Sequence, residues 1–148
     1  MDPVILSRIQ FAVTVGFHIL WPTLTIGLGS WLALLSILWW RTGRDVYRDL
    51  MRFWRKIFAL AFGVGVVTGV VLSYEIGANW TGFSRSVAGV LGPLFAYEVL
   101  TAFFLEAGFI GIVLFGEERV GRRLYVLATC LVAGGTLLSA TWIIAANS

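Results

Sequence analysis

The chain has 148 residues, of which 59% are hydrophobic and 13% charged, with a formal net charge of +3. Soluble domains carry about 25% charged residues, so this chain lacks the polar surface of a water-soluble enzyme or nucleic-acid binder. A mean hydropathy of +0.89 is far too apolar for disorder. The basic residues sit between long apolar runs, where they report membrane topology rather than a nucleic-acid partner.

No charged residue stands between Arg8 and Arg41. A membrane helix needs about 20 apolar residues, so a first span is expected over 11–40. It is too long for a cleavable signal segment, and no small-residue cleavage site follows a short core. Asp2 and Pro3 read as an N-cap and a proline in the first turn, so the helix starts before the hydrocarbon does. Pro22 has no N–H to offer the His18 carbonyl four residues earlier. That predicts a kink at His18 and a freed carbonyl there.

Residues 41–56 hold Arg41, Arg44, Arg48, Arg52, Arg55 and Lys56, with Val46, Leu50, Phe53, Trp54 and Ile57 at helical spacing between them. They read as an amphipathic helix in the interface, as an extension of the next span, or as a solvated basic loop. The second span is expected over 57–74. Its Gly65 and Gly69 form a G-x-x-x-G, which permits close helix contact or, on a sharper reading, room for a flat cofactor. Gly27, Gly29, Gly108, Gly111, Gly134 and Gly135 add similar flat surfaces. The third span, over 87–115, carries Glu98 and Glu106, its helix starting near Pro93. The fourth, over 124–146, has no ionisable group except Cys130, which lacks a partner for an internal disulfide and reads as a small packing residue. Trp39, Trp40, Trp54, Trp80 and Trp142 lie near span ends, as aromatic belts do.

Nine basic residues fall in 41–56 and 116–123, the latter holding Arg119, Arg122 and Arg123. Only Arg8 and Arg85 lie in the other connections. The positive-inside rule then places 41–56 and 116–123 in the cytoplasm. The expected fold is all-α: a single integral membrane four-helix bundle with its N-terminus outside.

A charge at the bilayer centre costs about 2.5–3.5 kcal/mol on insertion scales, and such residues usually face the bundle interior. His18, Glu98 and Glu106 are the three to weigh. Spans one and three run the same way, and both His18 and Glu98 fall roughly 8–16 Å below the outer interface at 1.5 Å per residue. They can share one layer. Glu106 is about 12 Å deeper and, on a regular α-helix, rotated by about 80°, so both carboxylates can line one side. A neutral imidazole in such a layer suits haem iron, and a nearby carboxylate can ligate, cap or deliver protons. The plainer alternatives are a hydrogen-bonded core histidine and carboxyls that tie helices together. A haem-free proton or cation conductor using Glu98 and Glu106, or a purely structural subunit, would also place them there.

The stretch LSRIQFAVTVGFHILWPTLTIGLG closely resembles the start of subunit I of cytochrome bd-type quinol oxidases. The resemblance continues through FWRKIFALAFGVGVVTGVV, IGANW, AYEVLTAFFLEAGFIGIVLFG and LLSATWIIAAN, in order and over nearly the whole chain. It implies that His18 is an axial ligand to one of two high-spin haems, a haem b and a haem d. It implies that Glu98 touches or ligates the same iron centre, that Glu106 lies on a proton route from the cytoplasm, and that Arg8 sits near haem propionates. Ser139 and Ile143 match positions lining the approach of protons and oxygen.

The implied reaction is quinol oxidation with reduction of dioxygen to water, electrogenic without a separate pump. It would run in a bacterial cytoplasmic (inner) membrane beside subunit II, small accessory subunits and membrane lipids. Subunits of this family are much longer, so the chain is expected to correspond to their first four-helix unit and to be inactive alone. Ser73 and Glu75 stand where relatives often have Glu and Gln, which resembles a divergent branch.

Overall fold

A computed structural model describes residues 2–146, apart from the side chains of residues 102, 103 and 105. Within them every regular element is helical. The helices are α1 (Pro3–His18), α2 (Leu20–Thr42), α3 (Asp45–Asn79), α4 (Thr81–Leu100), a π-helical stretch (Thr101–Ala107), α5 (Gly108–Phe115) and α6 (Arg122–Ala146).

The N-terminus folds as its residues dictate. The Asp2 carboxylate accepts the Val4 amide at 2.9 Å, with Pro3 opening α1. The helical ladder breaks at Ile19, four residues after the amide partner Val15 and three before Pro22, because proline cannot supply the next bond. Gly43 closes α2 with φ 70, a left-handed conformation that glycine adopts without strain, and its N–H bonds to the Trp39 carbonyl.

Residues 45–56 are the first turns of a single 35-residue α3, which selects the extension of the second span over a separate helix or a loop. No loop follows it. Trp80 alone separates α3 from α4, so Arg85 lies within a helix. Helix α4 begins at Thr81, well before Pro93, and runs through that proline. Glu98 is therefore about five turns from the helix start, deeper than a start near Pro93 implies.

Three described helical stretches are long and apolar enough to cross a membrane: Pro3–Thr42, Asp45–Asn79 and Arg122–Ala146. The stretch expected as the third span is helical from Thr81 to Phe115, divided by the π-helical turn.

Helix α2 is central. It packs on both α3 and α6, while α1 lies on α3 and the α4–π–α5 rod lies on α6. Its Thr25, Leu28, Gly29, Leu32, Leu35, Ser36 and Trp39 are buried at intervals of one, three and four residues, which is one face of a helix. In lipid, apolar burial gives little drive for helix association, and close packing of small residues replaces it. Gly29 shows how: a Cβ there would lie 3.4 Å from Thr136 Oγ1 and 3.6 Å from the Ala133 Cα. Ala128, Thr129, Ala133, Gly135 and Thr136 make up much of the matching face of α6.

The core gathers Leu28, Leu32, Leu35, Trp39, Met51, Phe58, Val113, Tyr125 and Val132. Trp39 belongs to it at 6% exposed, against the belt position read from its place near a span end. Its ring meets Tyr125 edge to face and carries the Arg122 guanidinium 4.5 Å above it. By contrast α1 and α4 bury no described residue.

Candidate functional site: a histidine and two carboxyls inside the helices

His18 ends α1 and leans on α3. Its Nδ1 lies 2.8 Å from Thr68 Oγ1. The ring rests against the Gly69 backbone, where a Cβ would come within 3.2 Å of Cε1. One turn away, a Cβ on Gly65 would lie 3.4 Å from the Cβ of Trp21. The G-x-x-x-G of α3 thus serves close approach, and what it admits is the His18 ring and the Trp21 side chain.

Glu98 sits on α4 and faces α6, where the Ser139 hydroxyl donates to its Oε1 at 3.0 Å. Glu106 lies on the π-helical stretch and is 5% exposed. The winding between them is not the regular α-helix assumed from sequence. Thr101–Ala107 forms a π-helical turn, so the 80° offset does not apply. Such turns are rare and are found frequently at functional sites. Ile143 is one turn beyond Ser139 on α6 and 41% exposed.

These groups form two separate sets. Glu98 and Ser139 meet where α4 packs on α6 and Glu106 lies on the adjoining π turn, whereas His18 is held by α3. Among the described residues the backbones of α1 and α4 do not approach each other, and no hydrogen bond joins His18 to Glu98.

Arg8 opens onto a cavity of about 480 Å³ where α1, α3, α4 and α6 come together. Phe11, Trp80, Phe83 and Phe95 line it with their rings, and the Trp80 indole Nε1 is buried without a hydrogen-bond partner.

Comparison with known proteins decides what these residues belong to. The family model described as cytochrome bd terminal oxidase subunit I matches residues 6–148. The chain belongs to the cytochrome bd terminal oxidase subunit I family. It is 43% identical over 146 residues to the cytochrome bd-II ubiquinol oxidase subunit 1 of Escherichia coli, covering 99% of this chain and 28% of that protein. To the cytochrome bd ubiquinol oxidase subunit 1 of Bacillus subtilis it is 40% identical, covering 100% and 32%. The solved bd oxidase structure from Geobacillus thermodenitrificans superimposes with a TM-score of 0.92 at 31% identity, covering 99% of this chain and 34% of that one. The chain thus spans about a third of the length of these relatives. With its apolar helices it is a multi-pass membrane protein.

The bd family implies haem, and the donor set here fits one. Among the described residues no three His, Cys, Asp or Glu side chains converge to hold a bare metal ion. Haem iron asks instead for single axial donors, and His18 Nε2 has no hydrogen-bond partner among the described residues. A cationic Arg8 and an unpartnered indole N–H beside aromatic walls suit the carboxylate-bearing edge of a macrocycle.

Two buried carboxylates of this bd subunit were not singled out as functional from sequence. Glu75, 2% exposed, accepts from Gln10 Nε2 at 3.0 Å and from Thr14 Oγ1 at 2.8 Å, and its Oε2 is unpartnered. It stands seven residues beyond Thr68, so α1 is held to α3 at two levels. Glu117, with a side chain 4% exposed, accepts from Arg52 Nε at 2.8 Å and from Arg55 Nη1 at 2.8 Å, with Arg48 Nε at 3.8 Å. The arginines of α3 that read as topology signals are therefore also structural, since they clamp the turn between α5 and α6. A carboxylate opposite a basic helix was the available signal for Glu117. Nothing in spacing alone marks Glu75.

Proposed function

We propose that this chain works within a bd-type terminal oxidase of the bacterial cytoplasmic membrane that oxidises quinol and reduces dioxygen to water. In this reading 41–56 and 116–123 face the cytoplasm and the N-terminus faces outward. Subunit II and small accessory subunits complete the assembly. What carries the reading is family membership over nearly the whole chain, joined to a half-buried Glu98–Ser139 hydrogen bond, a buried Glu106 and a histidine with one free ring nitrogen.

Haem, as haem b and haem d, would supply the iron that takes up electrons and passes them to dioxygen. His18 would hold one of these irons through its ring, and Glu98 would touch or ligate the same centre. Arg8 would neutralise propionates at the rim of the cavity it lines.

The remaining work is proton handling. Glu106, buried and near Glu98, takes a proton from the cytoplasmic side and hands it along the π-helical turn. Glu98 receives it on a carboxyl that Ser139 keeps aimed at α6. Ile143 narrows the approach beside Ser139 and limits water there. Because protons for water formation arrive from the cytoplasm while quinol protons leave outside, charge is separated without a separate pump.

The haem-free conductor reading is not favoured by membership in an oxidase family. The test is a reduced-minus-oxidised optical spectrum of the complex that contains this chain, with quinol-driven oxygen uptake. High-spin haem bands with oxygen uptake support the reading, and a colourless complex that conducts protons overturns it.

A further inference from the structure

Thr68 has one hydroxyl proton and three neighbours that could take it. The Val64 carbonyl lies at 2.8 Å and the Gly65 carbonyl at 3.1 Å, both on the preceding turn of α3. His18 Nδ1 lies at 2.8 Å. The two possible proton placements are not equal. If Thr68 donates to Nδ1, the ring proton must sit on Nε2, where no acceptor stands among the described residues. If Thr68 donates to the Val64 carbonyl, Nδ1–H donates to Thr68 and every proton has an acceptor. The second leaves only an unpartnered lone pair on Nε2, whereas the first leaves a half-buried N–H without a partner. The Gly69 backbone, which has no Cβ to push the ring away, fixes the ring against α3 at the same point.

We propose that Thr68 is a positioning residue for His18: its hydroxyl, anchored to the Val64 carbonyl, holds the imidazole in the Nδ1–H tautomer and leaves Nε2 as the ligating atom. This rests on the reading of His18 as a haem ligand. A hydrogen bond donated by the second ring nitrogen raises the basicity of the ligating one. The chain Val64 carbonyl, Thr68 hydroxyl, His18 ring thus tunes the iron from a residue that need not touch it.

The experiment uses the oxidase complex carrying Thr68→Val, which keeps shape without the hydroxyl, and Thr68→Ser, which keeps the hydroxyl. Resonance Raman of the ferrous high-spin haem reads the iron–histidine stretch, and a redox titration reads its midpoint potential. Thr68→Val should lower the stretching frequency and raise the potential, because the histidine donates less strongly. Thr68→Ser should restore both to the wild-type positions. Loss of haem in Thr68→Val with normal haem in Thr68→Ser also supports the hydroxyl role. Wild-type values in both variants, or equal loss in both, overturn it. A separate His18→Ala complex tests the underlying reading: if it keeps the full high-spin bands, His18 is not the ligand and the failure lies there.

Discussion

The Ser139 hydroxyl donates to Oε1 of Glu98 across 3.0 Å, joining α6 to α4 where the π-helical turn begins. That bond engages one of the two carboxyl oxygens of Glu98. In the proposed proton route it couples a hydroxyl of α6 to the carboxyl of α4. Ser139→Ala should slow quinol-driven oxygen uptake several-fold while haem bands stay near wild-type intensity. Oxygen electrode and optical spectra on the same preparation check this. Unchanged turnover would leave the bond a structural tie only.

Glu106→Gln keeps shape and hydrogen-bonding atoms but cannot lose a proton in the working range. In the proposed route it should cut oxygen reduction by ten-fold or more with haem content nearly intact. Stopped-flow oxidation of the reduced complex measures the step directly. A normal rate would remove Glu106 from the route.

Glu117 is a stability prediction independent of the haem. It is the shared acceptor of Arg52 and Arg55, with Arg48 nearby, so Glu117→Ala leaves partly buried guanidinium groups without their counter-ion. Removing the buried partner of such pairs destabilises because the remaining charges lose their counter-ion. Glu118, its side chain 84% exposed, pairs among the described residues with Arg52 alone, and exposed pairs contribute little. The thermal-inactivation midpoint of the detergent-solubilised complex should fall clearly for Glu117→Ala and little for Glu118→Ala. Equal effects would contradict the hub.

Gly69 and Gly63 offer a matched pair on α3. An added Cβ at Gly69 meets the His18 ring at 3.2 Å, and one at Gly63 meets nothing within 4 Å. Gly69→Ala should shift the high-spin haem spectrum. Gly63→Ala should not, and by helix propensity should stabilise by about 0.5–1 kcal/mol. Difference spectra of the two variants settle it. Identical spectra for both would show that the ring does not depend on that contact.

The parts of this architecture legible in the sequence were those governed by local rules. Asp2 and Pro3 dictate a helix start, Pro22 dictates the break at Ile19, and the run from Phe11 to Trp40 dictates a long apolar rod. The basic run over 41–56 was recognisable as helical, but not as continuous with the second span, because amphipathic spacing does not say where a helix meets the membrane. Trp39 read as an interfacial residue because end position is one-dimensional information. Its burial follows from Tyr125, which arrives from α6.

The π-helical turn had no local signal. It inserts extra winding between Glu98 and Glu106, and only the packing of that stretch on α6 reveals it. Glu75 escaped for a related reason, since its partners Gln10 and Thr14 lie more than 60 residues away in sequence. His18, Glu98 and Glu106 stood out because charge and imidazole are costly among apolar residues.

The central claim is that His18 carries iron. The most direct measurement is the reduced-minus-oxidised spectrum of the membrane-bound oxidase complex with His18→Ala, normalised to subunit content. The account predicts loss of one high-spin haem band with the assembled complex still present. Full bands at wild-type intensity in an assembled His18→Ala complex would contradict it.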